Sequence, residues 1–328
     1  MTISRRGALA ATAAVLAAPA LTPQALAQEA NFPSRPLRLI IAFAPGGGTD
    51  LIARTLAARM STILGQVVVV ENRPGGGGNT STEVAATARP DGYTLLMGNQ
   101  GPMSVNPTLF RNLRVDPATA FDPIAMVADA PLLLVAGPKL KANTVPELLA
   151  EIRAANGDLT YGSASNGSAS HLSTALLLQS TGLEATHVPF RGAAPALTEV
   201  ISGNVHFMVT TLPSVMGLIA GGQLRAIATT GDTRLPQLPN VPTIAETVPG
   251  FRATAWYGIL VPKGVDPAIR AKLAETIMAA TSNPEVASRL REEGAEPSRM
   301  DGEAFRRFIA EERTRWAEVV RAGAINVD

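Results

Sequence analysis

Short apolar runs alternate with stretches of helical spacing along most of this chain. The runs that read as strands are Leu37 to Ala44, Val67 to Glu71, Tyr93 to Met97, Leu132 to Ala136, Leu159 to Gly162, Val205 to Thr211, Leu224 to Thr230 and Tyr257 to Val261. Several are almost continuously apolar, the pattern of strands covered on both faces. Between them, Asp50 to Leu64, Val145 to Ala155, Ser170 to Thr181 and Pro195 to Ser202 repeat at helical spacing. This alternation predicts α/β lobes, each a mostly parallel sheet flanked by helices. From Asp266 to Ala322 the pattern is helical only, broken at Asn283-Pro284 and between Gly294 and Pro297. Its last helix sets Phe305, Phe308, Ile309, Glu312, Trp316, Val319 and Val320 mostly on one stripe, a packing face. A helical tail after two strand-rich regions predicts that the chain returns to cover the first lobe. The crossings are expected near Asp129-Ala130-Pro131 and near Gly250 to Thr254.

Two small-residue loops each join a strand to a helix. The first is Ala44-Pro45-Gly46-Gly47-Gly48-Thr49-Asp50, and the second is Gly162-Ser163-Ala164-Ser165-Asn166-Gly167-Ser168. A helix start exposes unpaired N–H groups and the positive end of the helix dipole, which together seat an anion. Two such seats over a hundred residues apart suggest two lobes that share one ligand.

Composition narrows the picture. Ser4-Arg5-Arg6, the apolar stretch Ala8 to Leu21 and Ala25-Leu26-Ala27 form an export signal over residues 1–27, with cleavage after Ala27. Its apolar core is too short for a membrane span, and the paired arginines leave the Sec and twin-arginine routes both open. Without Arg5 and Arg6, the 28 basic residues fall to 26 against 27 acidic ones, so no basic face for nucleic acid is implied. Cysteine is absent, so export brings no disulfide and no thiol for an acyl anchor; a soluble periplasmic product is expected. The remaining length exceeds one comfortable core and favours two domains. Lobe 1 is expected over residues 28–130 plus 253–328, and lobe 2 over 131–252.

The loops and their neighbours resemble the Bug family of periplasmic solute receptors, which serve tripartite tricarboxylate transporters. The matching residues include Phe43-Ala44-Pro45-Gly46-Gly47-Gly48-Thr49-Asp50, Val70-Glu71-Asn72-Arg73-Pro74-Gly75-Gly76-Gly77 and Pro90-Asp91-Gly92-Tyr93-Thr94-Leu95-Leu96. Asn106-Pro107, Asn166-Gly167-Ser168, Val188-Pro189-Phe190-Arg191-Gly192, Val241-Pro242-Thr243 and Trp256-Tyr257-Gly258 continue the match. Their order and spacing carry the likeness. It implies a two-lobed, type II-like periplasmic binding protein that closes by hinge motion on a small organic carboxylate. It also implies permease subunits as partners, and a monomer without cofactor or catalytic activity. The other class considered is a secreted α/β hydrolase acting on a small carboxylate ester. Against it, the chain has no Gly-x-Ser-x-Gly pentapeptide and no cysteine nucleophile.

The candidate ligand-binding residues are Phe43, Ala44, Gly46, Gly47, Gly48 and Thr49 in the first loop, with Ser163, Ala164, Ser165 and Ser168 in the second. Asn99 stands at a strand end where α/β sheets place ligands, as does its neighbour Gln100. Thr210 and Thr211 hold the matching place in lobe 2, and Arg191 and Ala193 flank another strand-to-helix turn. Asp50 is expected to cap its helix, since a carboxylate repels an anionic ligand. Relatives often carry an acidic residue where this chain has Thr210, which points to a cargo without an amino group. His171 reads as a structural hydrogen-bonder, and His187 and His206 lack a second ligand at metal spacing, so no metal is expected. Trp256 and Tyr257 are read as core packing near the crossing.

Overall fold

The computed structural model describes residues 32–322. The expected export signal and its cleavage site lie outside them. One curled sheet organises the chain, its main path running in space through residues 68–72, 37–41, 94–99, 254–262, 121–136, 207–211, 157–163 and 185–189. In its first half, β1 (Leu37–Ile41), β2 (Val68–Asn72) and β3 (Thr94–Asn99) are parallel, joined through helices α1 (Gly48–Leu64) and α2 (Asn79–Ala86). In its second half, β5 (Gly157–Ser163), β6 (Ala185–Pro189) and β7 (Phe207–Thr211) repeat that plan. Helix α3 (Val145–Ala155) leads into β5, while α4 (Ala169–Thr181) and α5 (Ala193–Ser202) are the connections that follow it. The expected parallel pairing therefore holds at the outer strands of both halves.

The centre pairs differently. The sixteen-residue β4 (Phe121–Ala136) pairs antiparallel with β9 (Thr254–Pro262) along Phe121–Pro131, and with β7 along Leu132–Ala136. β8 (Arg225–Thr229) also pairs antiparallel with this second stretch. One strand thus serves both halves, and the switch falls between Pro131 and Leu132. The Thr230 hydroxyl ties the two crossings together there: the Leu132 N–H donates to it at 2.7 Å, and it donates to the Ala253 carbonyl at 2.6 Å. The first stretch of β4 escaped the hydrophobic pattern because Asp122, Pro123, Asp129 and Pro131 interrupt its apolar run. Pro123 sits where the β4–β9 register shifts, one of the few places a sheet tolerates proline. β6 is short, half-buried and at an edge, so it too lacks a strong pattern.

Helices α6 (Pro267–Thr281), α7 (Pro284–Glu292) and α8 (Gly302–Ala322) follow β9. α6 packs on α1 and β4, α7 on α1, and α8 on β4. A two-residue strand, β10 (Glu296–Pro297), pairs with β4 and interrupts the expected helix-only tail. The stripe on α8 is buried at Phe305, Ile309, Glu312, Trp316 and Val320. Phe305 fills the space beside Gly258, where a Cβ would run into its ring. Trp316 and Val320 share a cluster with Leu172 of α4, so the last helix touches both halves.

Asp122 anchors this return. Its carboxylate, 5% exposed, lies 2.8 Å from Lys263 Nζ at the end of β9 and 3.2 Å from Arg306 on α8, with Arg270 of α6 at 3.8 Å. Burial pushes its carboxyl up, but the bonds from Lys263 and Arg306 outweigh it and hold the group below its usual range. Since two of the cations are substantially exposed, Asp122→Asn is expected to cost about 1–3 kcal/mol, below the full penalty of a deeply buried broken pair. Urea denaturation of the variant at neutral pH checks this, and a loss under about 0.5 kcal/mol would place the anchor elsewhere.

Candidate functional site

The C-terminal ends of β1, β3, β5 and β7 face one cleft between the halves, where helices α1, α4 and α5 begin. Each of these helix starts is set by its loop. Gly47 is extended and its carbonyl takes the first α1 bonds, from the Asp50 N–H at 2.9 Å and the Leu51 N–H at 3.1 Å. Asp50 faces back into its own loop: its carboxylate accepts from the Gly46 N–H (3.1 Å), from Arg54 Nε (3.0 Å) and from Asn72 Nδ2 (3.0 Å). Asn72 Nδ2 also reaches the Phe43 carbonyl at 2.9 Å. Burial raises the Asp50 pKa, but the bonds from Arg54, Asn72 and Gly46 outweigh it, so the carboxyl stays ionised and paired.

The second loop is rich in hydroxyls that bond within it. Ser168 caps α4: its oxygen accepts from the His171 N–H at 3.4 Å, and its O–H donates to the Ser165 carbonyl at 2.7 Å. The Ala164 N–H donates to Ser170 Oγ at 2.9 Å. Ser163 Oγ meets His187 Nε2 at 2.6 Å and the Ser165 carbonyl at 3.0 Å. His171 and His187 stack at 3.9 Å with an interplanar angle of 5°, and the Gly167 N–H donates to His171 Nδ1 at 3.1 Å. Burial holds His171 down to about 3, with help from its neighbour's charge, and holds His187 down to about 4. Both rings are therefore neutral and brace the loop from behind.

The cavity between these elements holds about 530 Å³ of empty space, counting the open solvent at its mouth. Among the residues predicted for the site, Phe43, Gly47, Gly48, Thr49, Asn99, Ala164, Ser168, Ala193 and Thr210 line it. Ala44, Gly46, Ser163, Ser165 and Arg191 stand outside the lining. Ser163 is fully buried on His187, Gly46 is bonded to Asp50, and the Arg191 side chain is exposed while its carbonyl accepts from the Ala44 N–H at 3.3 Å. Gln100, Gly101, Leu132, Ala169, Ser170, Thr211, Ala255, Trp256 and Tyr257 complete the wall. Trp256 and Tyr257 pack in the core as their sequence context predicts, yet they also line the cavity. Burial pushes the Tyr257 phenol up, and it stays protonated beside the Thr49 hydroxyl, its hydrogen-bond partner. Ala255, Leu132 and Gly101 carry no chemistry that sequence reasoning notices, and only the fold brings them here.

Among the described residues that line the cavity, none is Asp, Glu, Lys, Arg or His. Its polarity comes from hydroxyls, amides and the starts of three helices. Converging helix ends favour an anion without any formal positive charge. No group of described residues is arranged to hold a metal ion, and no helix among them is long and apolar enough to cross a membrane.

The two halves approach through glycines. A Cβ on Gly48 would stand 2.6 Å from Thr211 Oγ1 across the cleft, and one on Gly101 would stand 2.6 Å from the Gly167 carbonyl oxygen. Gly77 meets the Asn166 carbonyl and Gly192 meets Ala44 in the same way. Gly48 and Gly101 have backbone angles open to any residue, so only the opposite half excludes a side chain at these positions.

A mixed sheet in two halves, with helix starts turned to a cleft between them, is the build of a periplasmic solute-binding protein. The model of the tripartite tricarboxylate transporter family receptor, TctC, matches residues 52–325. Protein BugT of Bordetella pertussis is 37% identical over 293 residues, covering 89% of this chain and 90% of that protein. Among solved structures, an R. palustris protein with adipate superposes with a TM-score of 0.87 at 36% identity, covering 90% of this chain and 99% of that one. MatC from Rhodopseudomonas palustris with bound malate gives a TM-score of 0.84 at 32% identity, covering 88% and 100%. The chain belongs to the tripartite tricarboxylate transporter receptor family, whose members are periplasmic solute-binding receptors.

Two outcomes follow for the site. Gly48→Ala and Gly101→Ala each force the facing group of the other half to shift, and are expected to lower the unfolding temperature, more for Gly101, which faces backbone. Affinity for bound solute should meanwhile fall about tenfold or more, because closure is obstructed. Calorimetric titration beside a melting curve separates the two effects. The histidine pair sets a pH dependence of opposite origin. Both folded pKa values lie below the unfolded value near 6.5, so the unfolded chain binds more protons as pH falls. Stability from the pair is complete above about pH 6.5 and drains as the medium approaches about pH 4. Melting curves between these limits should be steeper in pH for the parent than for His187→Gln.

Proposed function

We propose that this chain captures a small organic carboxylate between its two lobes and delivers it to the membrane permease of a tripartite tricarboxylate transporter. The observation that carries this is the convergence of three helix starts on one cavity whose described lining holds no charged side chain. A carboxylate end can take N–H and hydroxyl donors there, directly or through water. The adipate and malate held by two relatives agree with that chemistry. The same lining offers no acidic partner to a ligand amine, and Thr210 stands where one was considered, which favours cargo without an amino group.

In this reading lobe 1 comprises residues 28–130 and 253–328, lobe 2 comprises 131–252, and Thr230 marks the hinge. The lobes close on the ligand, and the ligand's extra contacts in the closed state shift the population toward it. The protein acts as an exported monomer, released after cleavage at Ala27. A hydrolase reading finds no support in the site. The serine and histidine side chains that the fold brings into contact, Ser163 and His187, stand outside the cavity lining. Ser168 is engaged as the cap of α4.

Thermal unfolding against a panel of mono-, di- and tricarboxylates, amines and amino acids tests the proposal. A bound acid at a hundredfold excess over its Kd should add about 2.7 kcal/mol, a rise of several degrees. Amines should produce no shift. Tight binding of aspartate or glutamate would overturn the assignment of an amine-free cargo. Turnover of generic esters, lost in Ser168→Ala, would overturn the receptor.

A further inference from the structure

Gln100 directly follows β3 and lines the cavity at 1% exposure, yet neither its Nε2 nor its Oε1 has a hydrogen-bond partner. Asn99 beside it is 6% exposed, and its Oδ1 is also unpartnered. The β3–β9 register sets Asn99 opposite Tyr257, next to Trp256, whose indole N–H is buried and unpartnered as well. Buried polar groups are nearly always hydrogen-bonded. These are exceptions among the residues that line one cavity, and Gln100, with both amide atoms unpartnered, marks a place where a ligand supplies the partners.

The chemistry of Gln100 limits that ligand. A carboxamide presents one donor group and one acceptor whichever way it is turned. A carboxylate only accepts, so it would satisfy Nε2 and leave Oε1 facing negative oxygen. Among the described lining residues there is no cation to offset a second negative charge. A hydroxyl or a carboxamide both donates and accepts, and it satisfies Gln100 completely without a charge.

We propose that Gln100 selects the far end of the cargo. The acid places its one carboxylate toward the helix starts and sets an uncharged donor-and-acceptor group, a hydroxyl or a carboxamide, against Gln100. This rests on the carboxylate reading above and narrows it to hydroxy acids and half-amides over dicarboxylates.

Calorimetric titration of the protein with each dicarboxylate from succinate to adipate, beside its half-amide and its ω-hydroxy acid of equal chain length, decides the matter. In the series that fits the cavity, the half-amide or hydroxy acid should bind about tenfold or more tightly than the dicarboxylate, because the dicarboxylate strands a buried acceptor. Gln100→Met and Gln100→Leu should bring the paired affinities within about threefold. A dicarboxylate that binds as tightly as its partners in every series overturns the inference while leaving the carboxylate receptor standing. A preference that survives in both Gln100 variants removes Gln100 from the role. Failure of every acid in the panel to bind would instead sink the carboxylate reading, and this inference with it. The unsubstituted protein decides the cargo class even if a variant does not fold.

Discussion

The first turns of α1, α4 and α5 end at one cavity, and the N–H groups of a helix start have no partner within their own helix. That geometric debt organises the site. It makes the cleft attractive to negative oxygen without a lysine or arginine, and it requires that the loops before these helices be held still. Asp50, Asn72 and Arg54 hold the first loop; the stacked His171 and His187, with Ser163 and Ser168, hold the second. The side chains with the most obvious chemistry therefore lie behind the surface that meets the cleft, and backbone, hydroxyl and amide groups lie on it.

The same arrangement explains why the halves meet through glycine. Helix starts reach a small ligand from both sides only if the facing backbones come close, and a Cβ at Gly48 or Gly101 blocks that approach. At the other end of the lever, β4 passes from one half to the other without a break in its backbone, and Thr230 links both crossing strands. The crossing is thereby confined to a short stretch, while α8 spans the outside with Trp316 and Val320 packed against Leu172.

Much of the fold was legible from periodicity. The strands β1, β3, β5, β7 and β9 and the helices α1, α3, α4 and α5 stand where apolar runs and helical spacing put them, with ends shifted by a few residues. Elements with mixed composition were not legible. The first stretch of β4 carries two aspartates and two prolines, and its place in the sheet rests on β9, α6 and α8, which lie far along the chain. Within the second loop the serines were readable as a group. Which of them faces the cleft was not, because Ser163 turns to His187, a contact between distant residues.

By itself the sequence determined the α/β class, the two glycine- and serine-rich helix starts, the buried stripe on the last helix and the kinship with a receptor family. The first three are local patterns, repeated at 2.0 or 3.6 residues or confined to one loop, and the kinship rests on the order and spacing of short motifs along the chain. Tertiary structure alone decided that three helix starts meet, that Trp256 and Tyr257 line the cavity, and that Gln100 keeps its amide unpartnered in the wall. Those facts depend on side-chain direction and on pairings between residues far apart in the chain, such as β3 with β9, which no window of local sequence contains.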